Sequence, residues 1–172
     1  MTNDPHKVPP SPSGAVGSYI HASGKIGVLL ELGCESEFVS GTEDFNELLH
    51  DIAMHIAASD PKFIRKEDVT AEAYQHEKDI YASLAAAMAK SPQGVEKIVE
   101  EQMSKFYEEV CLNEQPFIKD QGIKISDLIA AKANKLANSE RRLPFGALHV
   151  SKWAITFRQE LPTGSTDPKV GM

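Results

Sequence analysis

Residues 17–40 read GSYIHASGKIGVLLELGCESEFVS, and the fold turns on whether this is one apolar segment or two strands and a corner. Two runs, GSYI and KIGVLLELG, flank Ser23-Gly24, and Ile26, Val28, Leu30 and Leu32 recur at every second position. A period of two places all four on one face of a strand, so the stretch is predicted as a β-hairpin. The second strand runs into GCESEFVS, where Phe38 stands between Glu37 and Val39, just before the acidic segment GTEDFNELL. At such a corner a phenylalanine either tucks beneath the first helix against Phe45 or Leu49, the commoner fate of an apolar side chain, or projects as a probe.

Working outward, Phe45, Leu48, Leu49, Ile52, Ile56 and Ala57 fall at steps of three and four. They predict a helix with Thr42 as N-cap, Glu43 and Asp44 in its first turn, and a stop at Ser59-Asp60-Pro61. A second helix is expected from Thr70, carrying Tyr74, Ile80, Tyr81, Leu84 and Met88 and ending before Ser91-Pro92. A third, about Gln93 to Leu112, aligns Val95, Ile98, Val99, Phe106, Tyr107 and Val110. After Gln115-Pro116-Phe117 comes a shorter helix capped by Ser126, with Leu128, Ile129, Ala133 and Leu136 inward. HVSKWAITFRQ then sets Ser151, Trp153, Ile155 and Phe157 against Val150, Lys152, Ala154 and Thr156, a closing strand. The order β-β-α-α-α-α-β predicts an α+β fold: a three-stranded antiparallel sheet, two strands N-terminal and one C-terminal, packed against about four helices. Residues 1–13 are expected as a disordered arm, 14–160 as the core domain, and 161–172 as a disordered tail.

A chain of 172 residues accommodates one sizeable core. Its net charge of −7, with no Lys/Arg cluster interleaved with aromatics, argues against direct nucleic-acid binding. The longest apolar run, Ile26 to Leu30 with Leu32, is too short to span a membrane, and a cytoplasmic location is expected. Cys34 and Cys111 are far apart, which predicts reduced thiols and no zinc site. His50 and His55 lie five residues apart on one helix and point in different directions, so no metal pair is expected. His21 near the hairpin turn and His76 on a polar helix face read as solvated, and Glu43, Asp44, Glu47 and Asp51 read as a water-facing stripe. Neither a nucleophile elbow nor a phosphate-binding glycine loop occurs, so a binding module is favoured over an enzyme.

The string GSYIHASGKIGVLLELGCESEFVSGTEDFNELLHDIAMHIAASDP resembles the start of the core domain of bacterial elongation factor Ts. That family shows a Tyr-Ile-His hairpin, a Gly-Lys/Arg-Ile-Gly-Val-Leu strand, then Cys-Glu-Thr-Asp-Phe-Val and a helix ending Ile-Ala-Ala. FYEEVCLNEQPFIKD resembles a second family segment, and the likeness runs from about Gly14 to Leu136, more weakly through Val150 to Arg158. The resemblance implies a guanine-nucleotide exchange factor that binds the GTPase elongation factor Tu, with no cofactor and no catalytic chemistry of its own. In the family the Thr-Asp-Phe-Val segment wedges beside the nucleotide-magnesium site of the GTPase. Here that segment is Ser36, Glu37, Phe38 and Val39, flanked by Cys34 and Glu35, with Tyr19 and His21 as further partner-contact candidates.

Departures from the pattern bear on that expectation. Ser36-Glu37 stands for Thr-Asp, residues 1–13 stand where the family has a small three-helix domain, and ERRLPFGALHVSKWAITFRQ is longer than the usual closing strand. A diverged module that docks on the GTPase without exchanging nucleotide is therefore the alternative. With a single core half, the chain is expected to form a homodimer through its sheet, covering a face that bears Trp153 and Phe157.

Overall fold

The computed structural model describes residues 13–34, 36–88, 91–139 and 148–157, with backbone alone at 138–139 and 151–157. Apart from Ser13, the expected arm lies outside these residues, as does the expected tail. The hairpin forms as predicted: β1 (Ser13–Ile20) pairs antiparallel with β2 (Ile26–Cys34), and β2 pairs on its other side with the closing strand β5 (His149–Phe157). The hairpin loop closes with the His21 amide donating to Ile26 O, and Gly24 supplies the left-handed residue at φ 67°.

Between β2 and β5 lie α1 (Glu37–Ser40), α2 (Glu43–Ser59), α3 (Ala71–Met88), α4 (Pro92–Val110), a short hairpin of β3 (Pro116–Phe117) and β4 (Asp120–Lys124), and α5 (Ile125–Ser139). The fold is α+β with a three-stranded antiparallel sheet, as expected. Val28, Leu30 and Leu32 from the sheet meet Phe45, Leu48, Ile52 and Ile56 from α2, all at most 2% exposed. Helix α2 crosses the sheet where β1 has Gly17: a Cβ there would sit 2.6 Å from Leu49 Cγ. Thr42 caps α2 as predicted, and Asp60 ends it in the left-handed region at φ 44°.

Four expectations need correcting. Ser126 is not a cap: α5 starts at Ile125, whose amide is satisfied by Gln115 O at 3.0 Å, so no side-chain cap is needed. The β3–β4 hairpin and one-turn α1 were not anticipated, because elements of two to five residues are too short to display a period. On α3, Ile80, Leu84 and Met88 are exposed, since this helix packs chiefly on α4 through a narrow seam that buries Ala85, Met103 and Phe106. The acidic stripe of α2 is not merely solvated: Lys132 of α5 pairs with Asp44 at 3.1 Å and Glu47 at 2.6 Å, Lys135 with Asp44 at 2.7 Å, and Lys119 with Asp51 at 2.6 Å. Those lysines hold the carboxyls of Asp44 and Glu47 below their ordinary range.

The sheet register also bears on which residues lie on its outer surface. On β5, Trp153, Ile155 and Phe157 pair in register with Leu30, Val28 and Ile26, and the register shifts by one residue between Glu31 and Leu32. The outward row of β1 and β2 carries Val16, Ile20 and Leu29, exposed by 68%, 71% and 57%.

Candidate functional site

Phe38 is 58% exposed, whereas Phe45 is wholly buried, so the reading in which Phe38 tucks beneath the first helix is overturned. The corner achieves this with α1, a single turn whose N-cap is Ser36: its hydroxyl accepts the Phe38 amide at 3.2 Å. From the strand side, the buried Cys34 thiol donates to Ser36 O at 3.1 Å. On the helix side, the Thr42 hydroxyl donates to Val39 O at 2.8 Å and accepts the Phe45 amide at 3.3 Å, so one side chain closes α1 and opens α2. Asn46 adds a further link, its side-chain amide donating to Thr42 O at 2.8 Å and to Ser40 O at 3.4 Å.

The four residues of the corner divide their tasks. Val39 is half-buried and packs on the core, anchoring the turn from below. Ser36 caps it, while Glu37 and Phe38 face solvent side by side. A carboxylate at the first position of the turn also complements its free amides. What the corner offers is therefore a fixed apolar ring beside a negative charge. That arrangement suits contact with a partner. Among the described residues, no group of three His, Cys, Asp or Glu side chains converges on a metal position.

Of the other candidates, Tyr19 and His21 are not brought to this corner. Glu35 lies outside the described residues. Tyr19 and His21 belong to the hairpin end of the sheet, separated from Cys34 by the length of β2, about 26 Å for eight strand steps. Tyr19 is half-buried and meets the His50 ring edge-on at 5.6 Å between centroids, so it is a packing residue of α2 rather than a solvated one. His21 is exposed and bonds Ser23 Oγ at 2.8 Å within the loop. Any partner touching both Phe38 and His21 must span that whole edge of the molecule.

Two groups away from the corner gain meaning only in three dimensions. His55 is fully buried, sharing a 2.9 Å hydrogen bond with Gln115 Oε1, while its Nδ1 accepts the Ile118 amide at 3.3 Å. These partners require the neutral ring with its proton on Nε2, and burial lowers the histidine's pKa. Burial likewise pushes the Cys111 thiol up to about 11, which keeps it protonated at neutral pH. The sequence flagged neither role: His55 and Gln115 lie sixty residues apart along the chain, and the burial of Cys111 comes from tertiary packing.

Comparison with known proteins agrees with the resemblance read from the sequence. The family model described as Elongation factor TS matches residues 7–145. Among curated proteins, the chain is 63% identical over 126 residues to Elongation factor Ts of Koribacter versatilis, covering 73% of this chain and 58% of that protein. To Elongation factor Ts of Solibacter usitatus it is 53% identical over 126 residues, covering 73% and 59%. To that of Geobacter sulfurreducens it is 53% identical over 107 residues, covering 62% and 50%. The matched segment thus spans between half and three-fifths of each relative's length.

Proposed function

The chain belongs to the elongation factor Ts family of translation factors, and on that premise we propose that it binds the GTPase elongation factor Tu and promotes release of its GDP by wedging Phe38 beside the nucleotide-magnesium site. The observation that carries this reading is the exposure of Phe38 on a turn anchored from both sides. An exposed aromatic ring forgoes burial energy that a partner pocket restores, on the order of 1–2 kcal/mol for a ring about half exposed. Such contacts, made only with the nucleotide-free GTPase, weaken GDP binding by the same factor that GDP weakens the complex. At 1.4 kcal/mol per decade, Phe38 alone supplies roughly tenfold, so the remaining interface must contribute as well. No catalytic group is needed for such work, and the place of action is the cytoplasm, where the GTPase operates.

A homodimer completes the proposal. Val16, Ile20 and Leu29 lie on an outward row broken by Gly14, Ser18 and Gly27, small residues that let a second sheet approach closely. Two copies related by a two-fold axis would cover this row on both.

Exchange is tested by mixing elongation factor Tu, loaded with fluorescent GDP, with increasing amounts of the chain and following release in a stopped-flow instrument. The release rate should rise with concentration to a plateau. Complex formation without any acceleration would replace exchange by the docking-module reading, for which Glu37 in place of aspartate is the sequence ground.

A further inference from the structure

We propose that Asn46 is a positioning residue for the Phe38 wedge, an inference that rests on the exchange reading above. Helix α1 has four residues, far below the length at which a helix holds itself in water. The direction of the Phe38 ring is therefore set by what ties this turn down. At its start are Ser36 and Cys34. At its end, the Gly41 amide reaches Phe38 O at 3.3 Å, and the Thr42 amide and hydroxyl both reach Val39 O. Ser40 O, the last carbonyl of the turn, accepts from the Asn46 side chain.

Both acceptors of Asn46, Ser40 O and Thr42 O, are carbonyls, so only the NH2 end of its amide satisfies them, using one hydrogen for each. Asn46 itself stands on rigid ground, since Phe45 before it and Leu48 two residues on are buried in the core. It therefore bolts the end of the mobile-length turn onto the first turn of the long helix. A ring that must push against a partner transmits force only if its base does not yield, and a misplacement on the order of 1 Å at a working group costs up to ~10²-fold in rate.

Asn46→Asp tests this well. Aspartate has the same shape, and near the N-terminus of α2 its charge favours the helix, so the fold should keep its stability. It cannot donate, and it sets a carboxylate against two carbonyls. In the fluorescent GDP release assay, with melting followed by circular dichroism, the expected result is an unchanged Tm and a plateau release rate about five- to tenfold lower. The half-saturating concentration should stay within about twofold, since the contact surface is intact. Asn46→Ala, which removes the donor without adding charge, should move the plateau in the same direction. A wild-type plateau in both variants, while Phe38→Ala still lowers it, would overturn the positioning role and leave exchange standing. The same holds if only the half-saturating concentration rises, or if the rate falls merely in step with a lowered Tm. Absence of acceleration by the wild-type chain would instead remove the premise, and both inferences with it.

Discussion

Phe38 and Phe45, seven residues apart, have opposite fates, and the difference lies in what each stands on. Phe45 is in phase with Leu48, Leu49 and Ile52, so its burial was legible from the 3.6-residue period alone. Phe38 sits in a single turn with no period to read, and its exposure follows from the hydrogen bonds of Cys34, Ser36 and Thr42 around it. Its place at a strand-to-helix corner raised the question, and family likeness, not residue patterning, favoured the projecting reading. His55 shows a related limit: the sequence indicated only that it does not pair with His50, and neither its burial nor its bond to Gln115. That pair has a pH signature. Burial lowers the folded-state pKa of His55 below the unfolded value of 6.5, so the unfolded chain takes up the proton first. The contribution is complete above about pH 7 and is lost as pH falls below the unfolded value towards the folded one, with a slope of at most about 1.4 kcal/mol per pH unit. Urea unfolding at pH 8, 6.5 and 5.5 should show this decline in the wild type and a flatter profile in His55→Gln. Identical profiles would show that His55 takes up its proton equally in the folded and unfolded states.

At the scale of elements, those with a sustained period were legible: the β1–β2 hairpin, α2 and the closing strand fall where alternation and capping place them. Elements held by neighbours were not. The start of α5 is fixed by Gln115 O rather than by Ser126, and β3–β4 is too short to alternate. The ion pairs from Lys132 and Lys135 to Asp44 and Glu47 join helices some eighty-five or more residues apart, so the sequence could present their carboxylates only as a stripe. At Gly17 the sheet and α2 approach closely. Gly17→Ala would drive a methyl group into Leu49, and overpacking of this kind costs roughly 1–3 kcal/mol. Denaturant titration should show that loss, and Leu49→Ala should be less harmful in the Gly17→Ala background than alone. Strict additivity of the two changes would mean that the helix shifts as a body instead.

At the scale of the molecule, the fold divides into a sheet layered on α2 and α5, and a helical pair, α3 and α4, that packs mostly on itself. Apolar residues on α3 looked like core candidates because a two-helix seam and a globular core impose the same spacing, yet the seam buries far fewer of them. The outer row of β1 and β2 likewise became visible only through register and exposure, which put Val16, Ile20 and Leu29 on it. Light scattering should give twice the 18.8 kDa chain mass, and Leu29→Lys should give the single mass with an unchanged circular dichroism spectrum. A monomeric wild type at micromolar concentration would contradict the dimer. Exchange itself remains the central claim, and the most direct measurement is stopped-flow release of fluorescent GDP from elongation factor Tu, comparing the wild-type chain with Phe38→Ala at saturation. The wild-type rate should lie well above spontaneous release and drop about tenfold or more in the variant, with its fold intact. Equal rates for the two chains would contradict that claim.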